Sequence, residues 1–224
     1  MASEEKQLIL LDFWPSMFAM RVKIALAEKG ITDYQINEEN IEVAKSPLLL
    51  EMNPVHKKVP VLIHNGKPVC ESMIIVEYID EVWCHNSPFL PSHPYLKSHA
   101  KFWAHFVDQK FFPASRKLWT TTGESKEEAK KEMIESLKMI EKELGGKCYF
   151  GGDTFGFVDI ALIPFYSWFN VYEVCGNMSI EEECPQIIAW AKRCVQRGAV
   201  MNSIPNMLKL SGYILELRKK HGIH

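Results

Sequence analysis

A serine stands where an apolar run gives way to a helix. In Phe13-Trp14-Pro15-Ser16-Met17-Phe18-Ala19-Met20-Arg21-Val22 the run breaks at Pro15-Ser16 and resumes with helical spacing, which places Ser16 at a helix N-terminus. Backbone N–H groups there lack intrahelical partners and the macrodipole is positive, so an anion is stabilised without further charge. A serine in such a position is ordinarily an N-cap and nothing more. The chemistry it adds is a hydroxyl that can donate to a bound anion. A nucleophilic serine is disfavoured, because the chain has no G-x-S-x-G elbow and no His or Asp at a recognisable spacing from it.

Other reactive residue types are dispersed. The six cysteines (Cys70, Cys84, Cys148, Cys175, Cys184 and Cys194) form no C-x-x-C pair and match no zinc spacing. His99 and His105 are too far apart on a helix to act as paired ligands, so no metal site is expected. Scattered thiols indicate a reducing compartment. The polar, acidic Met1-Ala2-Ser3-Glu4-Glu5-Lys6 is the reverse of a signal peptide, and no apolar run of about 18 residues exists, so a cytoplasmic protein without membrane association is expected. A formal net charge of −2 gives no general attraction to nucleic acid or acidic membrane.

The elements that must position Ser16 belong to an α/β pattern. Leu8 to Phe13 reads as a buried strand, and Ile24, Ala25, Leu26 and Ala27 continue a helix that Gly30 ends. Asp33 to Ile36 is a short candidate strand, followed by a helical turn around Ser46 to Leu50. Val59 to His64, Asn65-Gly66 and Lys67 to Cys70 form a predicted hairpin, because Asn-Gly supplies the positive φ that such a turn requires. A helix is expected from Glu71 to about Trp83, with Ile74, Ile75, Tyr78, Ile79 and Val82 facing inward. Residues 84–95 carry three prolines among small polar residues and read as a linker.

Beyond the linker every periodic segment is helical. Lys126 to Leu144 places Ala129, Met133, Leu137, Ile140 and Leu144 on one face. Val158 to Cys175 is apolar nearly all round and is expected to be the central buried helix. Before it, Gly156 as N-cap and Asp159 three positions on would form a capping box, with Phe155 and Ile160 as a hydrophobic staple. Asp159 is therefore a folding element rather than a catalytic carboxylate. A composition of 47% hydrophobic and 24% charged residues over 224 positions suits one sizeable core or two small ones.

Strand, Pro-Ser, helix, a Val-Pro-Val strand and a helix opening with Glu-Ser together resemble the thioredoxin-like domain of glutathione transferases. The stretches Asp12-Phe13-Trp14, Arg21-Val22, Ala25 to Gly30, Lys45 to Leu50, Asn53 to Leu62 and Glu71-Ser72 are similar to the tau class of plants. So are Tyr149-Phe150-Gly151-Gly152, Phe157 to Ala161, Pro185 and Ala189 to Arg193, and the resemblance extends over nearly the whole chain. It implies a thioredoxin-like α/β domain over residues 1–84 and an all-helical domain over 95–224.

The resemblance also implies an activity: glutathione thiolate, the co-substrate, attacks hydrophobic electrophiles in detoxification and stress response, with glutathione peroxidase as a side activity. No permanently bound cofactor is implied, and a homodimer is. Ser16 would donate to the glutathione sulfur. A cis bond before Pro60 would turn the Val59 backbone toward the cysteinyl unit. Ser72 would take the γ-glutamyl carboxylate, Glu71 the ammonium group, and Lys45 and Lys58 the glycine carboxylate. Outside the resemblance, both lysines read as solvated surface charge. The electrophile pocket would comprise Trp14, Phe18, Phe112, Arg116, Trp119, Trp168, Tyr213 and Leu217, with Arg116 able to stack on an aromatic substrate or stabilise developing negative charge. Phe102, Trp103, Phe106, Phe111, Phe112 and Trp119 are expected to crowd one helix, and about half of them should be core.

The chain departs from the usual Ser-Pro-Phe-Gly of the class, with Met17 and Ala19 in place of proline and glycine. Losing proline at the first helical position is expected to loosen the loop presenting Ser16, and both changes to add volume near the pockets. The rival reading is a noncatalytic carrier of hydrophobic ligands or glutathione conjugates. A thiol transferase would need a cysteine where Ser16 stands.

Overall fold

The structure, a computed structural model, describes residues 7–223. The chain divides into two units, Met1–Pro88 and Phe89–His224. In the first, β1 (Leu8–Asp12), α1 (Met17–Glu28) and β2 (Gln35–Glu38) form a βαβ crossover, and α2 (Pro47–Met52), β3 (Val61–His64), β4 (Lys67–Cys70) and α3 (Ser72–Val82) follow. The sheet order is β2-β1-β3-β4, with β1 parallel to β2 and antiparallel to β3. This is the thioredoxin-like arrangement the sequence predicts.

Alternation along the strands divides the core into two layers. Leu11, Val61 and Ile63 turn to one face and pack with Leu49 of α2, while the intervening Leu10 and Leu62 point to the opposite face and are fully buried. Helices α1 and α3 pack on each other, and α3 also lies against β3 and β4. Asn65 (φ 50°) and Gly66 (φ 74°) supply the hairpin turn as expected. The second strand begins two residues later than expected, because its register is set by pairing with β1, Ile9 opposite Gln35, and not by its own weak apolar pattern.

Helix α3 corrects the expected inner face. Ile74 and Val82 are 58% and 40% exposed, whereas Ser72, Ile75, Val76, Ile79 and Asp80 are buried. The rotation has an electrostatic cause. Two cations of the α1 segment are buried, and α3 supplies their acceptors: Arg21 Nη1 donates to Ser72 Oγ at 3.0 Å, and Lys29 Nζ lies 2.7 Å from Asp80. Exposing an isoleucine forgoes about 1.5–3 kcal/mol of burial. Stranding a buried cation costs about 3–5 kcal/mol, so the ions decide the face.

In the second unit Phe89 and Leu90, expected in the linker, are buried, and Phe89 O accepts from Phe157 N at 3.0 Å. The helices are α4 (Pro94–Phe106), α5 (Phe112–Thr120), α6 (Gly123–Leu144), α7 (Phe157–Leu162), α8 (Phe169–Gly176), α9 (Ile180–Glu183), α10 (Pro185–Cys194), α11 (Gly198–Met201) and α12 (Met207–Lys220). A π turn, Val107–Phe111, joins α4 to α5, with Phe112 N donating to Val107 O. It falls just before Pro113, whose missing N–H leaves the carbonyl four residues back without its usual donor. The buried face of α6 matches the expected Ala129, Met133, Leu137, Ile140 and Leu144.

The expected continuous helix Val158 to Cys175 is interrupted. A 3-10 turn, Ile163–Trp168, separates α7 from α8, because Pro164 removes a donor and its ring cannot follow an uninterrupted α-helical turn. Among the described residues no helix is long and apolar enough to cross a membrane, and no group of three His, Cys, Asp or Glu side chains could hold a metal.

Of the expected capping box at the start of α7 only the Asp159 half forms, because Gly156 has no side chain to accept from the third helical amide. Asp159 accepts from Gly156 N at 2.9 Å, Phe150 N at 3.1 Å and Trp190 Nε1 at 2.8 Å, joining three segments of the helical unit. Burial raises its carboxyl from 3.8 to about 6, against the opposing pull of those donors. A raised folded-state pKa means that stability from this group is fully present below about pH 4 and is lost as pH rises through 6. Denaturant unfolding of the wild type and of Asp159→Asn should therefore converge from pH 4 to pH 7, the wild type losing about 3 kcal/mol relative to the variant. A difference that stays flat or widens would contradict this account of the carboxyl.

Candidate functional site

Ser16 is half-buried at the N-terminus of α1 with extended backbone (φ −72°, ψ 110°). Its amide donates to Phe13 O at 2.7 Å, and Trp14 N donates to Glu38 Oε1 at 2.7 Å, which ties the loop to β1 and β2. The Oγ accepts from Ala19 N at 3.3 Å. That cap occupies an acceptor position and leaves the hydroxyl hydrogen to be donated. No acidic residue lies in the first turn of α1, so the helix itself places no anion at its positive end.

A second hydroxyl is held in the same way. Ser72, buried at the first position of α3, accepts from the fully buried Arg21, whose guanidinium also lies 5.0 Å over the Phe18 ring. The preceding Glu71 is exposed and has φ 70° and ψ 117°, a conformation costing about 1–3 kcal/mol for a residue with a Cβ. Its carboxylate lies 3.8 Å from His56 Nε2. Such outliers cluster at ligand clamps.

Lys45 and Lys58 are exposed, but their backbones are fixed. The buried Glu39 accepts from Ser46 N at 3.1 Å and Ser46 Oγ at 2.6 Å, beside Lys45. Asn53, also buried, donates from Nδ2 to Lys58 O at 2.9 Å and accepts from His56 N at 3.1 Å. The loop then enters a cis Val59–Pro60 bond, with Val59 half-buried. The nearby thiol of Cys70 is pushed up by burial and by the charge of Glu71, which makes it a poor nucleophile.

In the second unit Phe112, Arg116 and Trp119 share one face of α5; Arg116 is exposed and the two aromatic residues are half-buried. The Trp119 ring lies 5.6 Å from that of Trp168, which stacks on Tyr172 at 6.3 Å, and Phe112 lies 6.2 Å from Phe165. Arg218 Nη1 donates to Trp119 O, pinning α12, which carries Tyr213 and Leu217 one turn apart, to the end of α5. The α5, 3-10 and α12 residues singled out from the sequence are thereby gathered within one unit. Trp14 and Phe18 belong to the other. The six aromatics expected on one helix are divided among α4, the π turn and α5, where the proline at 113 interrupts the α-helical pattern; Phe111 is fully buried, Phe102 is 57% exposed and the rest are half-buried.

Sequence reasoning missed Arg21, Glu39 and Asn53 as supports of the site. Arg21 had a signal, a lone charge within the apolar run Phe18-Ala19-Met20-Arg21-Val22, and Asn53 had one in its Asn-Pro pair. Glu39 had none.

Two family profiles match the chain: "Glutathione S-transferase, N-terminal domain" over residues 6–81 and "Glutathione S-transferase, C-terminal domain" over 99–198. Relatives include the probable glutathione S-transferase parA of Nicotiana tabacum, 57% identical over 98% of this chain and 99% of the relative. Glutathione S-transferase U19 of Arabidopsis thaliana is 59% identical over 96% of this chain and 97% of its own. Among solved structures, rice GST1 in complex with glutathione superposes with a TM-score of 0.92 at 43% identity, covering 97% of this chain and 99% of that one. The Tau class enzyme of mango gives 0.88 at 41% identity, covering 94% and 98%. The thioredoxin-like first unit and the helical second unit are thus shared along nearly the full length, and the chain belongs to the tau class of the glutathione S-transferase family.

Proposed function

We propose that this enzyme joins the glutathione sulfur to hydrophobic electrophiles, and that Ser16 activates the thiol without becoming covalently attached. The observation that carries the reading is the Ser16 hydroxyl at a helix N-terminus whose first turn holds no acidic residue, its oxygen accepting from Ala19 N. A thiol with a pKa near 8.5 is only a few per cent ionised at about pH 7. A donated hydrogen bond and a helix end lowering it by about two units supply roughly 2.7 kcal/mol. The thiol proton passes to solvent, the sulfur lone pair forms the new C–S bond, and the electrophile's leaving group departs with its bonding electrons.

Around that step, Ser72 and Glu71 take the γ-glutamyl carboxylate and ammonium, the Val59 backbone pairs with the cysteinyl unit, and Lys45 and Lys58 neutralise the glycine carboxylate. Trp14, Phe18, Phe112, Arg116, Trp119, Trp168, Tyr213 and Leu217 hold the electrophile, and organic hydroperoxides are side substrates. A homodimer is inferred from the resemblance to the family.

Conjugation of a chlorinated nitroaromatic at saturating glutathione tests the reading directly. The wild type should turn over, whereas binding of glutathione and dye without turnover would make the protein a carrier. Ser16→Ala should keep glutathione affinity within a few fold and lower turnover at neutral pH by roughly ten- to a thousandfold, with part of the loss recovered toward pH 9. Unchanged rates from pH 6 to 9 would reduce Ser16 to an N-cap. Arg116→Ala and Trp168→Ala should reorder a panel of electrophiles while leaving the glutathione KM within about threefold, since neither is assigned a contact to the tripeptide. Sedimentation at micromolar protein should give twice 25.8 kDa; a fully active monomer would refute the dimer.

A further inference from the structure

Arg21 is fully buried in α1, where its charge comes at a desolvation cost. A methionine would fill similar space without the desolvation cost that a buried guanidinium carries. What the guanidinium contributes is direction. It has five N–H donors, no acceptor, and stays charged. Its 3.0 Å bond to Ser72 therefore assigns Oγ as the acceptor and leaves the Ser72 hydrogen to be donated elsewhere. A hydroxyl that accepts from a cation is also polarised into a stronger donor.

We propose that Arg21 is a positioning residue that sets specificity at the γ-glutamyl end: by engaging one lone pair of Ser72 Oγ and placing positive charge behind it, it turns the hydroxyl hydrogen outward and makes this position select a carboxylate over a neutral group. The proposal rests on the assignment of Ser72 to the γ-glutamyl carboxylate and goes further, since it gives the reason a serine there cannot serve an ammonium or amide N–H ligand equally well. The Phe18 ring, 5.0 Å from the Arg21 guanidinium carbon, steadies the donor from another side.

The test is calorimetric titration of the full chain with glutathione and with γ-aminobutyryl-cysteinyl-glycine, the same tripeptide lacking only the α-carboxylate. The wild type should bind glutathione at least about thirtyfold more tightly than the analogue, the size expected for a charge-assisted contact. Arg21→Met should weaken glutathione at least about tenfold while moving the analogue less than threefold, and Arg21→Lys should recover part of the discrimination. Ser72→Ala should show the same selective loss. Equal weakening of both ligands by Arg21→Met means that Arg21 only supports the fold, and overturns the proposal. So does failure of both Arg21 variants to fold. A wild type that binds the two ligands alike overturns the Ser72 assignment itself. Intact discrimination in folded Arg21 variants removes Arg21 alone.

Discussion

A buried guanidinium must find acceptors wherever the chain puts it, and satisfying Arg21 couples the two helix starts that matter for anion chemistry. Ser16 caps α1 five residues before Arg21, about 7.5 Å along the axis, while Ser72 opens α3. One residue thus links the helix that carries the Ser16 hydroxyl at its start to the helix that opens with Ser72, the two groups proposed for the thiol and the carboxylate. Lys29 with Asp80 repeats the device near the end of α1, and two buried polar contacts fix the rotation of α3 more tightly than an apolar seam would. The exposure of Ile74 follows from the same constraint.

Both serines obey one rule of hydroxyl bookkeeping. Each has its oxygen engaged by a protein donor, Ala19 N for Ser16 and Arg21 Nη1 for Ser72, so each presents hydrogen. Two donors and two helix N-termini suit a ligand with a thiolate and a carboxylate. The protein's own thiol in the vicinity is set the other way: burial and Glu71 raise Cys70, which leaves nucleophilic chemistry to the co-substrate.

Much of the fold was legible because local signals agreed with tertiary demands. Asn65-Gly66 fixed its hairpin through backbone geometry alone, and the bond from Gly156 N to Asp159 was readable because its two partners are three residues apart. Periodicity failed where a distant group competed. Ile74 and Val82 fit an apolar face as well as Val76 does, and only the cations on α1 choose between the alternatives. The interruption at Pro164 was visible as a proline but masked by an unbroken apolar run. At the candidate site, residue types at helix ends were readable from the chain. The supports were less so, since Glu39 reaches Ser46 and Arg21 reaches Ser72 through pairings that no short window contains.

The two departures at the start of α1 change the balance there in a direction the sequence did not suggest. Proline at the first helical position stabilises by restricting the unfolded chain, an effect of about 0.4–1 kcal/mol. Met17 occupies that position 5% exposed, and burying a methionine contributes about 1.5–3 kcal/mol, so packing outweighs the lost preorganisation. Ala19 is fully buried within the first unit and does not add volume to an open surface. In a helix it is preferred over glycine by about 1 kcal/mol. Its amide is also the donor that caps Ser16, so a stiffer backbone at this position holds the Oγ acceptor bond in place. Both substitutions lie inside the core of the first unit, where by this balance burial and helix propensity offset the preorganisation lost with the proline.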